Sequence, residues 1–183
     1  PRGGYTRMIL RMLDGIEVRL SADFFEDRGH WERAAKRTVF SGRIDDFFDH
    51  CFGELEYRTL DFETTLHEDV HDFQGNAVIS YTELEVPHTR IIEHKHFEFN
   101  GVPHTVVTRE YPAEWHRDRI PYYPVNDALN AGRYEKYLEL AETRGGVLFG
   151  GRLGEYRYYD MDQVVASALG AANEEVRAGR RGS

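Results

Sequence analysis

Apolar and polar positions change their rhythm twice along the chain. In the opening GGYTRMILRMLDG, Met8, Ile9, Met12 and Leu13 recur at the spacing of one helical face, and Gly15 tolerates the left-handed turn that closes a helix. The pattern predicts a helix over residues 5–14. Ile16, Val18 and Leu20 then alternate with Glu17 and Arg19, the period of a half-buried strand. Further on, TVFSG reads as a short strand ending at Gly42. Asp45 reads as the cap of a short helix that carries Phe47, Phe48 and Phe52.

From about residue 53 to residue 124 the chain is rich in β-branched and aromatic residues, broken by turn signals at Gly75-Asn76, Val86-Pro87 and Asn100-Gly101. This predicts an antiparallel meander. Asn100-Gly101, between HKHFEF and HTVVTREY, is its sharpest hairpin signal, because both residues accept positive φ. In NDALNAGRYEKYLELAETRGG, Leu129, Tyr134, Tyr137, Leu138 and Ala141 fall near one helical face, with Asn126 or Asp127 as cap and Gly145 as stop. A buried strand VLFGG, a loop GRLGEYRYYDM and a last helix with Val164, Val165, Ala168 and Leu169 follow. Helices and short strands thus flank the meander on both sides. The expected class is α+β, with 53–124 a sheet inserted into one body made of 1–52 and 145–178, 125–144 a connecting helix and 179–183 a tail.

Composition narrows the class of partner. The 32 Asp+Glu against 23 Lys+Arg leave a net charge of -9, which argues against general nucleic-acid binding, so any phosphate must be met by a few local arginines. One cysteine, Cys51, cannot form an intramolecular disulfide, and no apolar run approaches the roughly 20 residues of a membrane span. A reducing, cytoplasmic setting is expected, with no nucleic acid and no membrane as partner. The opening PRGGYTRM and the tail GRRGS read as the ends of a piece cut from something longer.

HEDVH, from His67 to His71, matches the H-E-x-x-H spacing of zinc peptidases. That chemistry needs a rigid helix, whereas Thr64-Thr65 precede and Gly75-Asn76 follow, so a solvated hairpin or loop is the better reading. His94 and His96 in EHKH would share one face of a strand, with Glu93 and Lys95 on the other, and lack a third ligand of fixed spacing. The loop GRLGEYRYYDM presents Arg152, Arg157, Tyr156, Tyr158 and Tyr159 just before a helix, which suits a phosphate; tyrosines packed under a surface loop remain the alternative. Arg90 in VPHTRII and Arg109-Glu110 in VTREYP lie on or beside the meander, where a strand aims side chains into a cleft.

The strings GGYTRMI, FGELEYRTLDFET, FQGNAVISYTELEVPHTRIIEHKHFE, TVVTREYPAEW, PYYPVND and FGGRLGEYRYYDMDQVV, in this order, resemble successive blocks of the bacterial UDP-galactopyranose mutases over nearly the whole chain. The resemblance implies the C-terminal portion of such an enzyme. It implies an antiparallel sheet of about six strands set into a discontinuous, Rossmann-like FAD-binding domain. It also implies interconversion of UDP-galactopyranose and UDP-galactofuranose through attachment of the sugar to N5 of reduced FAD, without net redox change. No G-x-G-x-x-G string is present for the flavin pyrophosphate, and the family's helical domain is missing too. The piece alone is therefore expected to be inactive, with the missing N-terminal parts as its partner. A free-standing nucleotide-sugar binding module is the alternative, and a zinc peptidase a distant third. Apolar surface left bare by the cut leads to an expected oligomer or strand-exchanged dimer.

Residue by residue, the resemblance gives Arg90 and Arg152 catalytic roles. Arg90 matches an arginine on the substrate diphosphate, and Arg152 one near the flavin. Tyr123 and Tyr158 match tyrosines near the diphosphate, and Glu110 and Asp160 match acids of the same cleft. Gly151, Arg152, Asp160 and Met161 fall on the flavin side. Ser80, facing the sugar, stands where the family often has Asn, and its shorter hydroxyl reaches a substrate through water.

Overall fold

The computed structural model describes residues 2–98 and 101–181. Asn100 of the expected turn and the last two residues of the tail lie outside the described residues. The chain forms two units, one ending at Thr38 and one beginning at Val39.

The first unit holds helices α1 (Gly4–Met12) and α2 (Arg28–Ala34). α1 forms where its apolar spacing predicts, and Met8, Ile9 and Met12 on its face are exposed. Asp27 starts α2 by accepting the amide of His30 through its side chain. The expected strand over Ile16, Val18 and Leu20 does not form, and all three side chains are exposed. Alternation describes one strand's two faces but supplies no neighbouring edge, and among the described residues no strand pairs with this segment.

The second unit is α+β. Strand β1 (Thr38–Phe40) pairs with β7 (Val147–Phe149) in a two-stranded sheet. Between them lie α3 (Ile44–Phe47), β2 (Tyr57–His67), β3 (Val78–Ser80), β4 (Arg90–Glu93), β5 (Thr105–Ala113), β6 (Tyr123–Pro124) and α4 (Ala128–Thr143). Among the described residues the sheet has five strands, in the order β3-β4-β5-β2-β6, where the resemblance implies about six. Its spine is the long antiparallel pair β2 and β5, with Thr59 opposite Ala113 and His67 opposite Thr105. After β7 come the short α5 (Gly151–Gly154), inside the segment read as a loop, and α6 (Met161–Arg181).

Three local expectations are corrected. Asp45 does not cap α3: Arg43 holds the cap position, while Asp45 is inside the helix and fully buried, its Oδ2 accepting the Leu55 amide at 3.1 Å. His94–His96 is a single 3₁₀ turn, not strand, so His94 and His96 share no strand face. The turn carries Lys95 inward, where its ammonium donates to the carbonyls of His71, Val102 and His104. Burying an ammonium without such acceptors would cost several kcal/mol, on the order of a buried unpaired charge. VLF of β7 is half-buried rather than buried.

The core is aromatic. Ile44, Leu55, Tyr57, Tyr137 and Tyr156 form its centre, with Phe48, Trp115, Tyr134 and Phe149 packed around them. Asp127 caps α4 by accepting the Asn130 amide, as expected, but Leu129 and Leu138 of the expected face are exposed and the face turns Tyr137 inward. Tyr137 is fully buried, donating its hydroxyl to Gly53 O at 2.7 Å and accepting the Phe52 amide at 3.1 Å.

Candidate functional site

Strand register brings together residues far apart in the chain. Ser80 on β3 lies opposite Arg90 on β4, Arg90 opposite Glu110 on β5, and Glu110 opposite Phe62 on β2, so the four form one row across a single face. Arg90 Nη1 stands 3.5 Å from Glu110 Oε2. The Glu110 side chain is 9% exposed and that of Arg90 43%, so the acid is the buried anchor and the guanidinium is the accessible end. One step along the same face, Thr108 Oγ1 shares hydrogen bonds with Thr64 Oγ1 at 2.9 Å and His94 Nε2 at 2.8 Å.

A second group gathers where β6, α5 and the segment before α6 meet. Tyr123 and Tyr158 stack, with ring centroids 5.5 Å apart and planes 25° from parallel. The Arg152 guanidinium sits 5.5 Å from the Tyr123 ring and 5.0 Å from the Tyr158 ring. Its Nη1 donates to Tyr122 O at 2.9 Å and its Nη2 to Tyr159 O. Tyr158 donates its hydroxyl to Asp160 Oδ1 at 3.2 Å, and the negative charge of Asp160 pushes the Tyr158 phenol above its ordinary range. Gly151, at the start of α5, has φ +73, a conformation that favours glycine, and Met161 is exposed at the start of α6.

The two groups are joined through Phe62, whose ring meets the Tyr122 ring edge-on at 5.7 Å. Ser80, Arg90 and Glu110 therefore form one predicted cluster, and Tyr123, Arg152, Tyr158 and Asp160 the other, with Phe62 and Tyr122 between them. Sequence reasoning missed these two connecting residues. Only the aromatic doublet in PYYPVND hinted at Tyr122. It also missed Glu155, whose carboxylate accepts the Gly151 amide, the Ser167 hydroxyl and the Tyr159 hydroxyl, fastening α5 to α6.

Among the described residues, two clusters of His and acids elsewhere have the composition of metal ligands. Glu93 in the first is fully buried; burial raises its carboxyl, but the Thr105 hydroxyl, the Phe73 and Gln74 amides and His96 outweigh that and hold it at about 2. His96 Nε2 lies 3.2 Å from both Glu93 Oε2 and Asp72 Oδ1, so these contacts use the lone pairs a metal would take. In the second, His50 presents Nδ1 to Asp45 at 3.2 Å and Nε2 to Asp46 at 3.1 Å, while Arg43 grips Asp46 with two bonds of 2.6 and 2.7 Å. The carboxylates address opposite ring nitrogens, so His50 cannot bring both of them to one ion. His67 of HEDVH ends β2, with a turn at Glu68-Asp69, so the string forms no zinc-binding helix.

Residues 1–158 match the family model described as UDP-galactopyranose mutase. The chain is 42% identical over 178 residues to a "Probable UDP-galactopyranose mutase" of Klebsiella pneumoniae, covering 95% of this chain and 45% of that protein. It is 36% identical over 181 residues to a dTDP-fucopyranose mutase of Escherichia coli, covering 94% and 47%. To a UDP-galactopyranose mutase of Mycoplasma pneumoniae it is 33% identical over 189 residues, covering 95% and 47%. The chain thus spans about half the length of these curated relatives.

Proposed function

The chain belongs to the UDP-galactopyranose mutase family, and from that premise we propose that it supplies the diphosphate-binding side of a flavin-dependent isomerase interconverting UDP-galactopyranose and UDP-galactofuranose. The observation that carries this is the Ser80–Arg90–Glu110 row beside the Tyr123–Tyr158 pair. Arg90 keeps an accessible fork while Glu110 fixes its direction, the arrangement that suits bidentate contact with a phosphate. In that role Arg90 holds the diphosphate and offsets the negative charge that grows on departing UDP. Among the described residues the Tyr123 hydroxyl has no hydrogen-bond partner, so it is free to donate to a phosphate oxygen. Tyr158 already donates its hydroxyl to Asp160 and so offers the ligand its ring. Ser80, opposite Arg90, faces the sugar.

For FAD the residues present fit one edge of the group: Gly151 brings backbone without a side chain, and Asp160 and Met161 are exposed at the start of α6. When bound in reduced form, FAD supplies the nucleophilic nitrogen for the anomeric carbon. This chain's own share is to hold and orient UDP-galactose and to receive charge on the diphosphate. We assign 1–52 and 145–178 to a discontinuous FAD-binding domain and 53–124 to the sheet that faces substrate, with turnover dependent on the remaining parts of the enzyme. No helix among the described residues is long and apolar enough to cross a membrane. A cytoplasmic setting is part of this reading, and the single free Cys51 agrees with it.

Titration calorimetry of the chain with UDP, UMP and uridine tests this reading. Heat with UDP that falls for UMP and vanishes for uridine, and that Arg90→Ala weakens about tenfold, is expected from loss of a charge-assisted phosphate contact. No heat with UDP on the intact chain overturns it.

A further inference from the structure

We infer that Arg152 is a positioning residue that clamps Tyr123 and Tyr158 into a stacked pair, and that it acts on a nucleotide diphosphate only through those two rings. The inference deepens the proposed function and rests on it for the identity of the ligand, but not for the clamp itself.

The clamp follows from where the donors of Arg152 go. Both terminal nitrogens of the guanidinium donate to backbone carbonyls, Nη1 to Tyr122 and Nη2 to Tyr159. Each carbonyl belongs to the residue adjoining one partner of the ring pair: Tyr122 precedes Tyr123, and Tyr159 follows Tyr158. One planar fork therefore fixes the main chain beside both rings. The same cation lies 5.5 and 5.0 Å from the two ring centroids, attracted to faces that stacking brings together. Lysine can supply the charge but not two donors in a rigid plane.

A phosphate-gripping arginine looks different in this fold. Arg90 leaves its guanidinium largely accessible and backs it with one buried acid. Arg152 spends its fork on the protein and, among the described residues, has no carboxylate partner, as expected of a cation whose charge is met by carbonyl dipoles and ring faces. Tyr158 is further aimed by its bond to Asp160, so the hydroxyl left to point at a ligand is that of Tyr123.

The test uses the whole 183-residue chain, with ring-proton resonances of Tyr123 and Tyr158 assigned through Tyr→Phe variants. Arg152→Ala and Arg152→Lys are both expected to abolish the mutual ring-current shifts while the rings of the buried Tyr57 and Tyr137 keep theirs, which also reports that the variants are folded. UDP affinity is expected to fall about tenfold in both variants, since lysine does not restore the clamp. In a Tyr123→Leu/Tyr158→Leu background, Arg152→Ala is expected to change UDP affinity less than twofold.

Unchanged ring shifts in Arg152→Ala overturn the clamp whether or not UDP binds. Rescue of UDP affinity by Arg152→Lys, or a full tenfold loss persisting in the double-leucine background, shows instead that the guanidinium meets the phosphate directly. Absence of UDP heat in the unsubstituted chain counts against the proposed function alone, because the ring shifts still decide whether the clamp exists.

Discussion

Arg90 and Glu110 face each other across adjacent antiparallel strands, and the separation of 3.5 Å joins an accessible cation to a nearly buried acid. The asymmetry makes the pair directional: Glu110 loses more from being left alone than Arg90 does. Glu110→Ala is expected to free the guanidinium and weaken UDP binding about three- to tenfold, whereas Glu110→Gln, which keeps an acceptor, weakens it less. Calorimetry on the three proteins checks the order. Equal binding by all three removes Glu110 from the site.

Glu93 predicts how the chain responds to acid. Its carboxyl is held at about 2 against an ordinary 4.5, so the folded state binds the proton less readily than the unfolded state. The stabilisation is fully present above the ordinary carboxylate range and is lost as pH falls from about 4.5 toward 2, by an amount on the order of 3 kcal/mol. Urea unfolding from pH 6 to pH 3 is expected to show this loss, and Glu93→Gln to flatten it. A variant with the same pH slope as the parent would assign the effect to other carboxylates.

Tyr137 ties α4 to the loop before β2 with two hydrogen bonds from one hydroxyl. Tyr137→Phe keeps the packing but leaves the Gly53 carbonyl and the Phe52 amide without that partner, at an expected cost of about 1–3 kcal/mol. A denaturant midpoint that does not move would show that water replaces both bonds.

Tyr158 offers a spectroscopic check on the acid beside it. Asp160 pushes its phenol upward by charge and by accepting its hydroxyl. Asp160→Asn is expected to bring Tyr158 ionisation back toward the ordinary tyrosine range. Ultraviolet difference titration against a Tyr158→Phe control measures it, and an identical titration curve sinks the assignment.

The long α6 leaves Val165, Leu169 and Val176 exposed. Surface of this kind favours self-association. Light scattering is expected to report an oligomer that Leu169→Glu reduces to a monomer. A monomeric mass for the unsubstituted chain contradicts this.

What the sequence revealed and what it hid divide along the range of the interactions. α4 was legible because its start and stop are local: Asp127 caps it and Gly145-Gly146 follow it. The segment 16–20 misled because alternation is local while pairing is not. The row Ser80–Arg90–Glu110 depends on register across three strands; the residues alone placed Arg90 and Glu110 on or beside the meander, and only the family resemblance pointed to Ser80. The role of Arg152 was hidden for another reason. Its bonds end on backbone carbonyls, which every residue possesses, so no pattern of side chains announces them. His94–His96 turned out of its strand because Lys95 is drawn to carbonyls near positions 71, 102 and 104, and spacing carries no trace of that demand.

The pairing of β1 with β7 has a consequence for the order of assembly. Phe40 and Phe149 meet at 6.0 Å, and the Gly150 amide donates to Phe40 O at 3.0 Å, with the whole five-stranded sheet lying between them in the chain. Closing a loop of roughly a hundred residues carries a larger entropic cost than closing the short connections within the sheet. The β4–β5 pair, and with it the contact of Arg90 and Glu110, forms from neighbours in sequence. The stacking of Tyr158 on Tyr123 waits for the far strand to return. Arg152 and Tyr158 both follow β7, so a polypeptide halted before that strand would carry only the first half of the site.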